Sequence, residues 1–434
     1  MIYAHRHRKL PRPQQENKPL PPPLGIALLF LLALSLFAAS PLPAATIIAT
    51  SAGKEGPPAD GLASSTLLAA LGADLVLLPV ALTADNQPVV YSSLTLEDGT
   101  DAATVFPERK RSDGSHYLID LTLDEVRRLR LRPQPGLGTA GLGDGIASLR
   151  EHLALLRGLE RLLGRASGIV VEPRSPWFHR QEGRELSDII LATLKEFGYA
   201  YPQDNVYLQC YDPEELQKLH RQGLAEGGLK LPLVQMIGTG DDGETMVSGA
   251  SGSLTPYNYD WLYTNVGLRV VASYAMALAV PVKKVHDPSG RAMPLPPGYV
   301  EEAHRHGLLV LAMAGDGQGD APLEALVAGV LGTGGVDGLY SDEFLAVQRT
   351  LHKLATPPEG AEQGQAEKEA STLPEPGQPP EESSLSGDPQ PTAEQAPHAP
   401  DTPAAASDLP PFFRNLDLSR PDSSRPAKGS SASD

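Results

Sequence analysis

Between Thr46 and Ala355 the sequence keeps one alternation throughout: short apolar runs, each followed by a loop or an amphipathic helical segment. The runs are Ile47–Ala49, Ala73–Leu78, Gln87–Tyr91, Gly168–Val171, Val206–Cys210, Leu233–Ile237, Leu308–Ala312 and Val336–Tyr340. A strand that returns to the same edge through a helix must run parallel to its predecessor, so the pattern predicts an α/β fold with a parallel sheet. Eight such strands are the number a (β/α)8 barrel needs, and the span suits a domain of about 250 residues plus an insertion.

Boundary signals agree with that reading. Ser64 to Leu71 is the first helix, and Asp85-Asn86 marks a turn. Ser148 followed by Glu151 is a capping box, after which Leu149, Leu153, Leu156 and Leu163 keep one face apolar. Leu186, Ile190, Leu194 and Phe197 stripe another helix that stops at Gly198, whose missing Cβ suits a left-handed cap. Asp212-Pro213-Glu214-Glu215 opens a third, with cap, first-turn proline and acidic third position in place.

The ends differ from the middle. Arg6, Arg8, Lys9 and Arg12 precede an apolar run over residues 24–39, which exits through small residues to Ala45. That is the layout of an export signal, or of an N-terminal membrane anchor if it is retained, so residues 1–45 predict a periplasmic or secreted domain. Residues 356–434 are rich in Pro, Glu, Ser and Gln and cannot bury enough apolar surface to order themselves. The tail from Pro357 carries −9 of the net charge of −17, leaving −8 for the rest, which argues against a nucleic-acid partner. One apolar island, Leu409–Leu418, reads as a short motif for a protein partner, with chance or weak docking on the parent domain as the bland alternative. Cys210 is the lone cysteine and reads as a buried small hydrophobe rather than a catalytic thiol.

The family signal lies after Gly168–Val171. That run leads into Glu172-Pro173-Arg174 and then Ser175-Pro176-Trp177-Phe178-His179-Arg180-Gln181-Glu182-Gly183. Three more blocks accompany it: Phe106-Pro107-Glu108-Arg109 through Glu125, Val206–Cys210, and Tyr257-Asn258-Tyr259-Asp260-Trp261. Together they resemble the long periplasmic type of glycerophosphodiester phosphodiesterase, over about Thr46 to Ala355 with an insertion near 94–145. The resemblance implies a TIM-type (β/α)8 barrel of the PLC-like phosphodiesterase superfamily.

It also implies a calcium site and two histidines, the metal offsetting phosphoryl charge and the imidazoles moving protons. Those groups are missing where the family places them. Thr50 and Ser92 stand at the histidine positions, Leu77 and Pro79 at two metal-ligand positions, and Ala59 where a further glutamate falls. Glu172 remains, with Arg174 in place of the usual lysine, and the last strand ends in Ser341-Asp342 instead of the family's Thr-Asp. One carboxylate cannot hold calcium, which takes six to eight oxygens.

Glu172, Arg174, His179 and Asp260 are therefore the residual pocket, with Asp342 beside it. One reading gives Arg174 to an anion and the acids to polyol hydroxyls. The other has Glu172 and Arg174 holding each other while Trp177 and His179 pin a loop. His286-Asp287 and His304/His306 lack a converging carboxylate cluster and read as solvated loops. The Gly-rich stretches 136–145 and 238–252 lack the lysine and the strand–loop–helix setting of a phosphate cradle.

Two functions follow. The leading expectation is a catalytically inactive barrel, needing no cofactor, that serves as a binding or scaffold module for a small phosphodiester, anion or polyol. The alternative is an active phosphodiesterase that releases glycerol 3-phosphate with calcium, using Glu172, Arg174, His179 and Asp260 in a rearranged site.

Overall fold

The computed structural model describes residues 46–355 apart from 52, 54–55, 133–144, 241–242, 250–251, 288–291 and 314–322. The export segment, the acidic tail with its Leu409–Leu418 motif, and most of the 136–145 Gly-rich stretch lie outside the described residues. Among the described residues no helix is long and apolar enough to cross a membrane.

The strands in chain order are β1 (Thr46–Ala49), β2 (Leu75–Leu82), β3 (Pro88–Val90), β4 (Gly168–Pro173), β5 (Val206–Cys210), β6 (Leu233–Met236), β7 (Met246–Ser248), β8 (Leu254–Pro256), β9 (Ala277–Pro281), β10 (Leu309–Met313) and β11 (Gly338–Ser341). Eight of them close a parallel barrel in the order β1-β2-β4-β5-β6-β9-β10-β11, with β11 pairing back onto β1. The expected architecture is present, but its membership is corrected at one strand. Gln87–Tyr91 is not a barrel stave: β3 pairs antiparallel with the far end of β2, Val80 opposite Val90, through the turn at Asn86. The eighth stave is Ala277–Pro281, which bridges β6 and β10.

The main helices are α1 (Leu62–Leu71), α2 (Leu149–Leu163), α3 (Pro176–Gln181), α4 (Leu186–Glu196), α5 (Pro213–Lys218), α6 (Asn265–Ala272), α7 (Tyr299–Arg305) and α8 (Phe344–Ala355). The start signals behave as their chemistry requires. Ser148 and Glu151 form the reciprocal capping box of α2, and Asp212 accepts from the Glu214 and Glu215 N–H groups at the start of α5. Gly198 is left-handed at φ 75°, ending the α4 segment.

Apolar side chains sort into three bodies. One fills the space between staves and helices, including Val76, Leu78, Leu153, Ile190 and Phe344. A second fills the barrel interior: Ile48, Leu75, Val170, Val234, Met236, Leu311 and Tyr340, with Leu77 packed against it. The third belongs to the insertion, where Leu96, Phe106, Leu118 and Val126 build a small core over β3. His116 ties that insertion together, its Nδ1 2.6 Å from Glu97 and its Nε2 2.7 Å from the Phe106 carbonyl.

Candidate functional site

Strand pleating decides what the barrel's C-terminal mouth contains. On β4, Val170 points inward, so Glu172 does too, and it is 3% exposed. Its neighbour in register on β2 is Pro79, and Leu77 stands beside Val170. The wall that faces Glu172 thus supplies a proline ring and an isobutyl group and no oxygen ligand.

Glu172 is saturated. Gln209 Nε2 donates to its Oε2 at 2.6 Å, and Arg174 pairs with its Oε1. Tyr340 on β11 donates to Gln209 Oε1 at 2.6 Å, so a hydrogen-bond chain crosses the barrel from β11 through β5 to β4. The other arm of the Arg174 guanidinium pairs with Glu244, 70 positions away. Burial pulls the Arg174 pKa down, but the two carboxylates more than offset it and hold the group charged. The reading in which Glu172 and Arg174 hold each other matches this geometry, and Glu244 joins them. An anion would have to displace a carboxylate to reach Arg174.

At Ser175 the backbone takes φ 42°, a left-handed conformation uncommon for a non-glycine residue, and α3 begins immediately after it. That sharp turn brings His179 back against β2. His179 is 1% exposed. Its Nε2 receives the Leu82 N–H at 3.1 Å while Nδ1 faces the Ser175 carbonyl. Burial lowers its pKa to about 4. With its lone pair committed to a backbone donor, His179 has no free base to offer. Trp177 donates its indole N–H to the Gly243 carbonyl at 3.2 Å, fastening α3 to the segment before β7.

Of the other predicted residues, Thr50 donates its backbone N–H to the Ser341 carbonyl, joining β1 to the end of β11. Ser341 is buried and accepts the Glu343 N–H through its side chain. Asp260 is exposed on a single turn, its N–H bonded to Asn258. No hydrogen bond joins it to Glu172 or Arg174 among the described residues. His304 pairs with Asp337, which also accepts the Val310 N–H, on the opposite side of the barrel from the mouth. Cys210 is buried and its thiol pKa is pushed up by burial, which suits an inert packing residue.

The structure adds a residue that sequence reasoning passed over. Asp60 is 9% exposed and accepts both the backbone N–H of Ser92 at 2.9 Å and its hydroxyl at 2.8 Å. Burial raises its pKa, the Ser92 hydrogen bonds oppose this, and Arg174 and Glu172 act on it from nearby. It stands one position beyond Ala59, so a one-residue offset was the available signal. Even so, the donor set does not fit calcium. Both Glu172 oxygens are engaged, β2 offers none, and no cluster of three metal-ligating side chains occurs among the described residues.

The model of the Glycerophosphoryl diester phosphodiesterase family matches residues 58–344. A glycerophosphodiester phosphodiesterase of Treponema pallidum (strain Nichols) is 36% identical over 231 residues, covering 50% of this chain and 65% of the relative. One from Haemophilus influenzae is 32% identical over 231 residues, covering 50% and 64%. The chain therefore spans a little under two thirds of the length of these curated relatives. Among solved structures, a glycerophosphodiester phosphodiesterase from Parabacteroides distasonis ATCC 8503 is 16% identical with a TM-score of 0.46, covering 72% of this chain and 99% of that one. An Oleispira antarctica phosphodiesterase, solved with sn-glycerol-3-phosphate, is 17% identical with a TM-score of 0.47, covering 71% and 96%. On the family match, this chain is a member of the glycerophosphoryl diester phosphodiesterase family.

Proposed function

We propose that this chain is an exported, catalytically inactive member of its family whose barrel serves as a binding or scaffold module. The observation that carries the reading is the Glu172–Arg174–Glu244 bridge, set in a mouth where Thr50, Leu77, Pro79 and Ser92 stand at the expected catalytic positions. Hydrolysis of a phosphodiester near neutral pH needs a group to take a proton and a positive charge to meet the phosphoryl oxygens. Here the charge is neutralised twice and the nearest imidazole is buried and engaged. The basic-then-apolar segment over residues 1–45 supports export or anchoring, and the Leu409–Leu418 island supports a protein partner for the tail.

Melting of the full chain with calcium and with chelator tests this. A ligand that binds the native state alone raises the melting temperature by mass action, so the reading expects superimposable curves. A calcium-dependent rise that Glu172→Gln removes would restore the metal site and with it the case for an enzyme.

A further inference from the structure

The apolar stripe of α2 outlasts its burial. Leu149, Leu153 and Leu156 are covered, but Leu162 in the last turn is 79% exposed and Leu163 beside it 41%. Tyr201 at 47% and Leu309 at 39% are exposed too, and these four share one end of the barrel. Leu162 and Leu163 precede β4, Tyr201 precedes β5 and Leu309 opens β10, and parallel staves all begin at the end opposite the mouth. β4 and β5 are neighbours, with Ile169 in register with Val206, and the Asn205 side chain packs against Gly168. The leucine pair and Tyr201 therefore lead into the sheet side by side. Of the large hydrophobic residues exposed among the described residues, Met293 alone lies elsewhere, in the loop after β9. Arg161 and Arg165 flank the leucines. Their guanidiniums bond the backbone carbonyls of Arg157 and of Ala69 and Ala70, and neither meets a carboxylate among the described residues.

The entry point of the chain says what covers this end. Thr46 opens β1, so the basic-then-apolar segment joins the barrel at the same end. Six residues separate the apolar run, which stops at residue 39, from Thr46, and their full extension is about 20 Å. In the anchored form of the protein proposed above, the bilayer surface lies within that reach of this end. Leucines and a tyrosine flanked by arginines are the composition that enters the boundary between acyl chains and anionic headgroups. We propose that the end opposite the mouth is a membrane-docking face: Leu162, Leu163 and Tyr201 seat at the lipid boundary, Arg161 and Arg165 meet anionic headgroups, and the mouth faces away from the membrane. This rests on the anchored reading and goes beyond it, since an anchor alone would leave the barrel free to tumble on its link.

The full chain reconstituted in phosphatidylcholine–phosphatidylglycerol vesicles tests this. A fluorophore is placed on Ala166→Cys, exposed beside the leucines, or on Gln181→Cys, exposed at the mouth end, while Cys210 is buried and stays unlabelled. Flotation with the vesicles reads the anchor. Quenching by nitroxide-labelled lipid reads docking, and it should be several-fold stronger at position 166 than at position 181. The double substitution Leu162→Glu, Leu163→Glu, at exposed positions, should abolish that difference while flotation and circular dichroism stay unchanged. Equal lipid quenching at the two positions in vesicles that float the chain would overturn docking and leave the anchor standing. Shielding of position 166 from iodide without lipid quenching would assign the face to a second copy or to the tail, and overturn docking as well. A chain that does not float would overturn the anchored reading and docking with it.

Discussion

The Tyr340 hydroxyl lies 2.6 Å from Gln209 Oε1 although 131 positions separate the two residues, and this bond closes the barrel interior over Glu172. Gln209 is fully buried and spends its amide N–H on Glu172 and its amide oxygen on Tyr340. An amide held at both ends in this way is a structural strut across the barrel.

Tyr340→Phe should therefore destabilise the fold by about 1–3 kcal/mol, the cost of leaving a buried acceptor unpaired. Urea denaturation checks it. An unchanged midpoint would mean that Gln209 finds another donor.

Arg174→Met should cost more, on the order of 3–5 kcal/mol, because it strands the carboxylates of Glu172 and Glu244 in a largely buried setting. The double variant Glu172→Gln, Arg174→Met should recover part of that loss. Additive losses in the double-mutant cycle would show that the pair is not coupled.

His152 and His179 predict an acid weakness. Both are buried, and burial lowers each pKa from 6.5 to about 4. A base with a depressed folded pKa is protonated more readily in the unfolded chain. The stabilisation is thus fully present above about pH 6.5 and is lost as pH falls toward 4, by at most about 3 kcal/mol for each histidine. Denaturation between pH 7 and 4.5 should show stability falling, with a shallower slope in His152→Gln, His179→Gln. Parallel slopes would assign the acid sensitivity elsewhere.

Much of this was legible in the sequence, for reasons that also explain the gaps. Capping residues act locally, so Ser148 with Glu151 and Asp212 with Pro213 read correctly. The missed stave has a physical cause: Val270 through Val280 is nearly unbroken apolar sequence, in which the end of α6 and the start of β9 share no periodicity break. Gln87–Tyr91 was the converse error, since its alternation fits an antiparallel ribbon as well as a stave. At the site, Glu172 and Arg174 were visible because they sit on one strand two residues apart. Glu244 and Gln209 were not, because only the closed barrel brings them there. Asp260 lies exposed on the turn between β8 and α6, with no hydrogen bond to Glu172 or Arg174 among the described residues.

Hydrolysis of glycerophosphocholine and glycerophosphoethanolamine by the full chain, with calcium and with chelator, decides whether the barrel cuts or binds. Release of glycerol 3-phosphate should not exceed that of a Glu172→Ala control under either condition. Calcium-dependent turnover that this substitution abolishes would contradict the inactive reading and require an acid and a base that the Glu172–Arg174–Glu244 bridge does not supply.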